Sequence, residues 1–217
     1  MERNEHEPAQ DSKKGLNPWW FITIFIVIAV IVIGGSLFYS RNSRQTLEEQ
    51  NKYNGFDFAQ SAEGYWITEA VVNGQPYIIP FYHHPRETEN VSYTEGLAEA
   101  IIDNPARPEL VYVSLPPDSG SRTVIAGVEL SRLFGSRYGL LNMQVKSALS
   151  RPDETTAAET PIITCDDAVD GILVLLFEQS DENAIAHAGN CILFRYTTSE
   201  ESIRVADRFG FELLKIM

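Results

Sequence analysis

A chain of 217 residues that is 44% hydrophobic can bury a real core, which excludes a disordered protein and sets the expectation of one domain of about 150 to 200 residues beside any membrane segment. Its 30 acidic against 17 basic residues give a formal charge of −13 with no clustered basic patch, which excludes a phosphate-backbone partner such as nucleic acid. The surplus acid is spread along the chain and reads as a solvated surface.

Residues 1–17 form a polar tail, expected to be cytoplasmic. The run NPWWFITIFIVIAVIVIGGSLFYS follows, uncharged from Trp19 to Phe38. At about 1.5 Å per helical residue it crosses a hydrocarbon core about 30 Å thick. Pro18 suits a first helical turn, Trp19 and Trp20 suit one interface and Tyr39 the other. The expectation is a transmembrane helix over 18–39 that makes the membrane the first partner. A cleaved signal peptide fits less well, because its apolar region is usually about 7 to 15 residues long and GGSLFYS is a poor cleavage site. Lys13 and Lys14 before the run, with Arg41, Arg44 and Lys52 after it, leave the orientation undecided.

Residues 40–62 read as a juxtamembrane stalk, with RNSRQTLEEQNKYNG continuing as a short helix that Gly55 ends. An extracytoplasmic domain of mixed α/β (α+β) class, one mixed sheet with packed helices, is expected over 63–217. It opens with GYWITEAVVNGQPYIIPFYHHP, two β-rich runs flanking Asn73 and Gly74, the pair that a type I′ hairpin turn prefers. Pro76 and Pro80 remove ladder donors, so the second strand is expected to lie at an edge or to be interrupted. His83 and His84 are adjacent, so on a strand they face opposite ways and read as surface or edge residues. The sequon at Asn90 to Ser92 could carry a glycan if it lies outside the cell.

SYTEGLAEAIIDNP predicts a short helix with a capping box from Ser92 to Glu95 and a stop at Asn104 before Pro105. ELVYVSL predicts a strand, PPDSGS a loop and RTVIAGVELSRLFG a helix closed by Gly135, while YGLLNMQVKSAL fits a strand or a second helix. Together they read as a βαβ unit. A polar connector lies near 150–160, and PIITC, GILVLLFEQ and NCILFRYT are short enough and apolar enough to be buried strands. Thr198 and Glu201 predict a second capping box and a C-terminal helix. Ile203, Ala206, Phe209, Leu213, Leu214 and Met217 form its apolar arc, Arg204, Arg208, Glu212 and Lys215 its charged arc, and Phe211 fits neither.

The only two cysteines, Cys165 and Cys191, lie on apolar runs. A bridge, a zinc-type site with His187 and Asp166 or Asp167, or two inert thiols would each account for them. A bridge places the domain outside the cell, N-terminus in and C-terminus out. Asp166, Asp167 and Asp170 could act as paired carboxylates with His187, although an acidic loop between strands is more often a turn. The amides of DSGSR at Asp118 to Arg122 open a helix and could hold an anion, without a dinucleotide or P-loop pattern and with Asp118 repelling one.

Taken in order, IPFYHHPRETENV, VIAGVELSRLFG, LLNMQVKSALS, ITCDDA, NCILF and ADRFGFELLKIM resemble a family of uncharacterised single-pass membrane proteins of archaea, with two spaced cysteines and a terminal ADR…IM helix. The resemblance implies a cell-envelope location and a disulfide, and carries over no catalytic residue or cofactor. The expected function is a non-catalytic binding or envelope-assembly module whose partner is an envelope protein or glycan. The alternative is an envelope hydrolase or metal-dependent enzyme using the acidic residues and His187 near the cysteines.

Overall fold

The computed structural model describes residues 19, 25–34, 51–72, 74–102, 108–153 and 160–217. The chain divides into two compact units, Met1–Gln50 and Asn51–Met217. In the first, residues 25–34 are helical (α1), and nearly all of them are exposed. Among the described residues no helix is long and apolar enough to cross a membrane. Most of the rest of the span expected over 18–39, and the stalk residues 40–50, lie outside the described residues.

The second unit begins earlier than the expected boundary at 63. Lys52–Tyr53 (β1) and Phe56–Gln60 (β2) are paired strands, not the end of a stalk helix. Asn54 and Gly55 form the two-residue connection between them, with φ of 45° and 86°. Both values are positive, as a type I′ turn requires, so Gly55 makes a hairpin where a helix stop was expected. Trp66–Val72 (β3) and Gln75–Phe81 (β4) form the predicted hairpin, closed by the Val72 and Gln75 pair. The antiparallel order β1-β2-β3-β4 puts β4 at the edge, as Pro76 and Pro80 imply.

The larger sheet runs from Ser92–Tyr93 (β5) at one edge through Ala184–Ala188 (β9), Cys191–Tyr196 (β10), Ile172–Gln179 (β8) and Leu110–Leu115 (β6) to Gln144–Leu149 (β7) at the other. Leu110–Leu115 (β6), Ser121–Phe134 (α4) and Gln144–Leu149 (β7) form the predicted βαβ unit, with β6 and β7 parallel; this resolves YGLLNMQVKSAL as a strand. Ile172–Gln179 (β8) lies parallel to β6 and to Cys191–Tyr196 (β10). Ala184–Ala188 (β9) forms a hairpin with β10 and was not expected, because its Ala and His residues have little β preference. The two-residue connection Gly189 and Asn190 is the signal that marks it.

Two expected elements change form. Ser92–Tyr93 is a strand (β5), so no capping box starts there. The helix Leu97–Ile102 (α3) is capped by the Tyr93 hydroxyl, which accepts from the Ala98 N–H at 2.8 Å. PIITC contributes one bridge, Leu149 with Ile162, and the chain then turns through a 3-10 turn at Cys165–Asp167, where Thr164 and Asp167 cap each other.

Ser199–Leu213 (α5) lies between the two sheets. Phe209 meets Phe194 of β10 edge-on at 5.3 Å, whereas Phe211 packs on Phe58 of β2 and at 4.2 Å on Phe81 of β4. Two residues turn a helix by about 200°, so this pair must face opposite ways. Gly210 permits the approach, since a Cβ there would lie 2.9 Å from the Phe81 ring and 3.0 Å from Leu133.

Candidate functional site

The crossover β6-α4-β7 leads outward, and the chain then returns to β8 on the other side of β6. Strand order therefore reverses between β6 and β8, the place where open parallel sheets leave a crevice at their carboxyl ends. A cleft of about 600 Å³ opens there. Ser119 and Gly120 come to it from the loop after β6, Arg151 from beyond β7, Gln179 from the end of β8, and Thr198 with Ser199 from the start of α5.

Polar contacts hold this rim in place. Thr123 Oγ1 and Ser199 Oγ are 3.1 Å apart and tie the first turns of α4 and α5 together. Arg151 donates to Asp118 at 2.5 Å, so the acid that sequence reasoning set against an anion is neutralised by a residue far along the chain. Glu178 accepts from Arg195 at 2.8 Å. Among the described residues no histidine or cysteine lines the cleft. Its hydroxyls, amide and ion pairs suit the binding of a polar small molecule.

Of the segments singled out from the sequence, DSGSR contributes Asp118, Ser119 and Gly120 to this cleft, and the others lie elsewhere. Cys165 and Cys191 form a disulfide with Cα atoms 5.2 Å apart, within the usual span. Asp166, Asp167, Asp170 and His187 are exposed, and none lines the cleft. Asp167 accepts from the Thr164 N–H at 2.8 Å, which is turn chemistry. Among the described residues no group of three or more His, Cys, Asp or Glu side chains could hold a metal ion. Asn90 is exposed in the turn after Pro85–Thr88 (α2).

Sequence reasoning missed a buried acid. Asp207 of α5 is 2% exposed, and its Oδ2 accepts from the Tyr82 N–H at 3.1 Å, the His83 N–H at 2.8 Å and His83 Nδ1 at 2.8 Å. The three bonds fasten the end of the small sheet to α5. His84, expected at the surface, is buried against Phe58 and Trp66, and burial lowers its pKa. Its Nδ1 accepts from the Arg86 N–H and caps α2. An aspartate outside both arcs of the terminal helix and two histidines before a proline gave no sign of this; only the packing of α5 on both faces buries them.

Burial pushes the Asp207 carboxyl up to about 6, against the opposing bonds from His83. A carboxyl whose folded pKa is raised binds its proton more tightly in the folded state. Its cost is absent below the unfolded value near 4, grows as pH rises towards 6 and is complete above that. Asp207→Asn keeps an acceptor for the backbone N–H groups and removes the titration. The stability difference between the native chain and this variant should therefore shift by on the order of 3 kcal/mol between pH 4 and 7, in favour of the variant at the higher pH. Urea midpoints across that range check it; parallel curves would assign the carboxyl an ordinary pKa.

Comparison with family models, curated proteins and solved structures finds no match to this chain. Class therefore rests on architecture: a mixed α/β domain of two sheets with helices between them, stapled by one disulfide.

Proposed function

We propose that this chain is a membrane-anchored, extracytoplasmic binding module of the cell envelope that holds a polar small molecule or a terminal sugar in the cleft at the carboxyl ends of β6, β8 and β10. The observation that carries the reading is the cleft itself, placed at the reversal of strand order and lined by side chains from four separate segments. The disulfide supports an oxidising compartment. The uncharged run from Trp19 to Phe38 supplies the anchor, and the archaeal resemblance is consistent with an envelope. The hydrolase alternative lacks such support, since Asp166, Asp167, Asp170 and His187 are all exposed and none of them lines the cleft.

The test uses the full chain in lipid nanodiscs and a panel of amino acids, organic acids, nucleotides and sugars, read by thermal unfolding. At least one compound should raise the midpoint of the native chain but not that of Ser150→Trp, which fills the cleft. No stabilising compound, or one that stabilises both proteins equally, defeats the reading. Protease added to intact cells should digest residues 51–217; full protection reverses the proposed orientation.

A further inference from the structure

A second concavity, about 610 Å³, lies between the outer side of α4 and the edge strand β7. Its walls are Val124 and Val128 of α4 and Val145 of β7, and its floor includes Val113 and Leu115 of β6. Val124 and Val128 are 46% and 42% exposed, unusual for apolar residues on a packed helix.

Among the described residues the edge beside this groove is open. Gln144 donates its N–H to Glu109 towards β6, so alternation turns the backbone groups of Val145, Ser147 and Leu149 outward. Leu149 already uses this edge. Its N–H donates to Pro161 at 2.9 Å and its carbonyl accepts from Ile163 at 2.9 Å, a parallel bridge that adds one rung to the sheet. Val145 and Ser147 have no such rung among the described residues. The edge thus accepts an added strand at one end and, among the described residues, leaves the outward groups of Val145 and Ser147 without a backbone partner at the other.

Charge selects the occupant. Arg132, Arg137 and Lys146 line the groove, and among the described residues no carboxylate does, in a chain whose formal charge is −13. Arg132 is shared with Glu129 at 2.6 Å, which leaves Arg137 and Lys146 as the fuller positive charges. A second copy of the chain pairing β7 with β7 would set these cations against themselves, which disfavours self-association at this edge.

We propose that β7 and α4 form a docking groove for an extended acidic segment of a partner protein, which adds as a strand along Val145 and Ser147. Its apolar side chains enter between Val124, Val128 and Val145, and its Asp or Glu residues meet Arg137 and Lys146. Main-chain bonds supply affinity and the alternate side chains supply selectivity. This groove and the cleft are lined by different residues, so either reading can fail without the other.

The full chain in neutral-lipid nanodiscs is panned against a phage-displayed library of random heptapeptides. Enriched sequences should alternate Asp or Glu with Val, Ile or Leu, and a synthetic enriched peptide should bind saturably by fluorescence anisotropy. Val145→Pro, which deletes an outward N–H, and Val128→Glu, which puts an acid in the groove, should each weaken it by about ten-fold or more. Ser150→Trp in the cleft should leave it unchanged. Should Val145→Pro fail to fold, Val128→Glu and Arg137→Glu carry the test. No enrichment, enriched sequences without acidic residues, or affinity indifferent to the groove variants overturns the proposal. So does capture of phosphatidylglycerol vesicles with the same sensitivity to these variants, which would make the groove a lipid site.

Discussion

Phe211→Ala should cost about 4 kcal/mol of unfolding free energy, the range for deleting a fully buried aromatic side chain. The ring is 0% exposed and bridges α5 to both Phe58 and Phe81. Its loss leaves a cavity on the face of α5 that packs on the small sheet, so the damage is expected to be uneven. Amide exchange should accelerate first in β2, β3 and β4 and leave β8 and β10 protected, because stability is distributed in cooperative units. Phe209→Ala should do the reverse, loosening the contact with Phe194 and the larger sheet. Urea denaturation with exchange mass spectrometry separates the two. Equal acceleration in both sheets after either change would mean that the layers unfold as one body and that α5 does not divide them.

Removing the disulfide through Cys165→Ser with Cys191→Ser should cost about 3 kcal/mol on the chain-entropy model, for a sequence separation of 26 residues. The bridge also has a local task. Segment 161–168 runs across the face of the larger sheet opposite α4, where Ser114 donates its hydroxyl to the Ile163 carbonyl at 2.6 Å. Val174 and Cys191 are fully buried there, yet the segment that adjoins them has almost no regular structure of its own. Without the bridge the turn at Cys165–Asp167 should become a protease site while β8 and β10 stay intact. Limited proteolysis of the native and variant chains checks this, and equal resistance would show that hydrogen bonds alone hold the segment.

Much of the larger sheet was legible before folding was considered. GILVLLFEQ and NCILFRYT are continuous apolar runs because β8 and β10 sit inside a sheet covered on both faces, and a strand with no wet side shows no alternation. Asn73 with Gly74 marked the β3 and β4 hairpin because turn chemistry is local. The same chemistry at Asn54 and Gly55 was overridden by the polar residues before it, which suggested a stalk helix and moved the domain boundary by a dozen residues. β9 was lost for a different reason, since its pairing with β10 rather than its composition makes it a strand.

The sites were less legible than the elements. DSGSR was recognisable as the opening of a helix, but nothing nearby in sequence shows that Arg151 neutralises Asp118 or that Ser199 meets Thr123 across the same cleft. The acidic loop beside Cys165 drew attention because its residues are close in sequence, yet they remain exposed and cap their own turn.

By itself the sequence determined the uncharged N-terminal run, the acidic character of the rest, the βαβ unit and the position of the cysteines, all of which follow from local composition and periodicity. Only the tertiary structure decided that the terminal helix has two apolar faces. Phe211 departs from the amphipathic pattern because a second sheet covers that side, and Asp207 is buried because the Tyr82 and His83 amides donate to it there. Periodicity reports one buried face of a helix, whereas a helix held between two layers must bury both, and the partner for the second face lies more than 120 residues away in the chain.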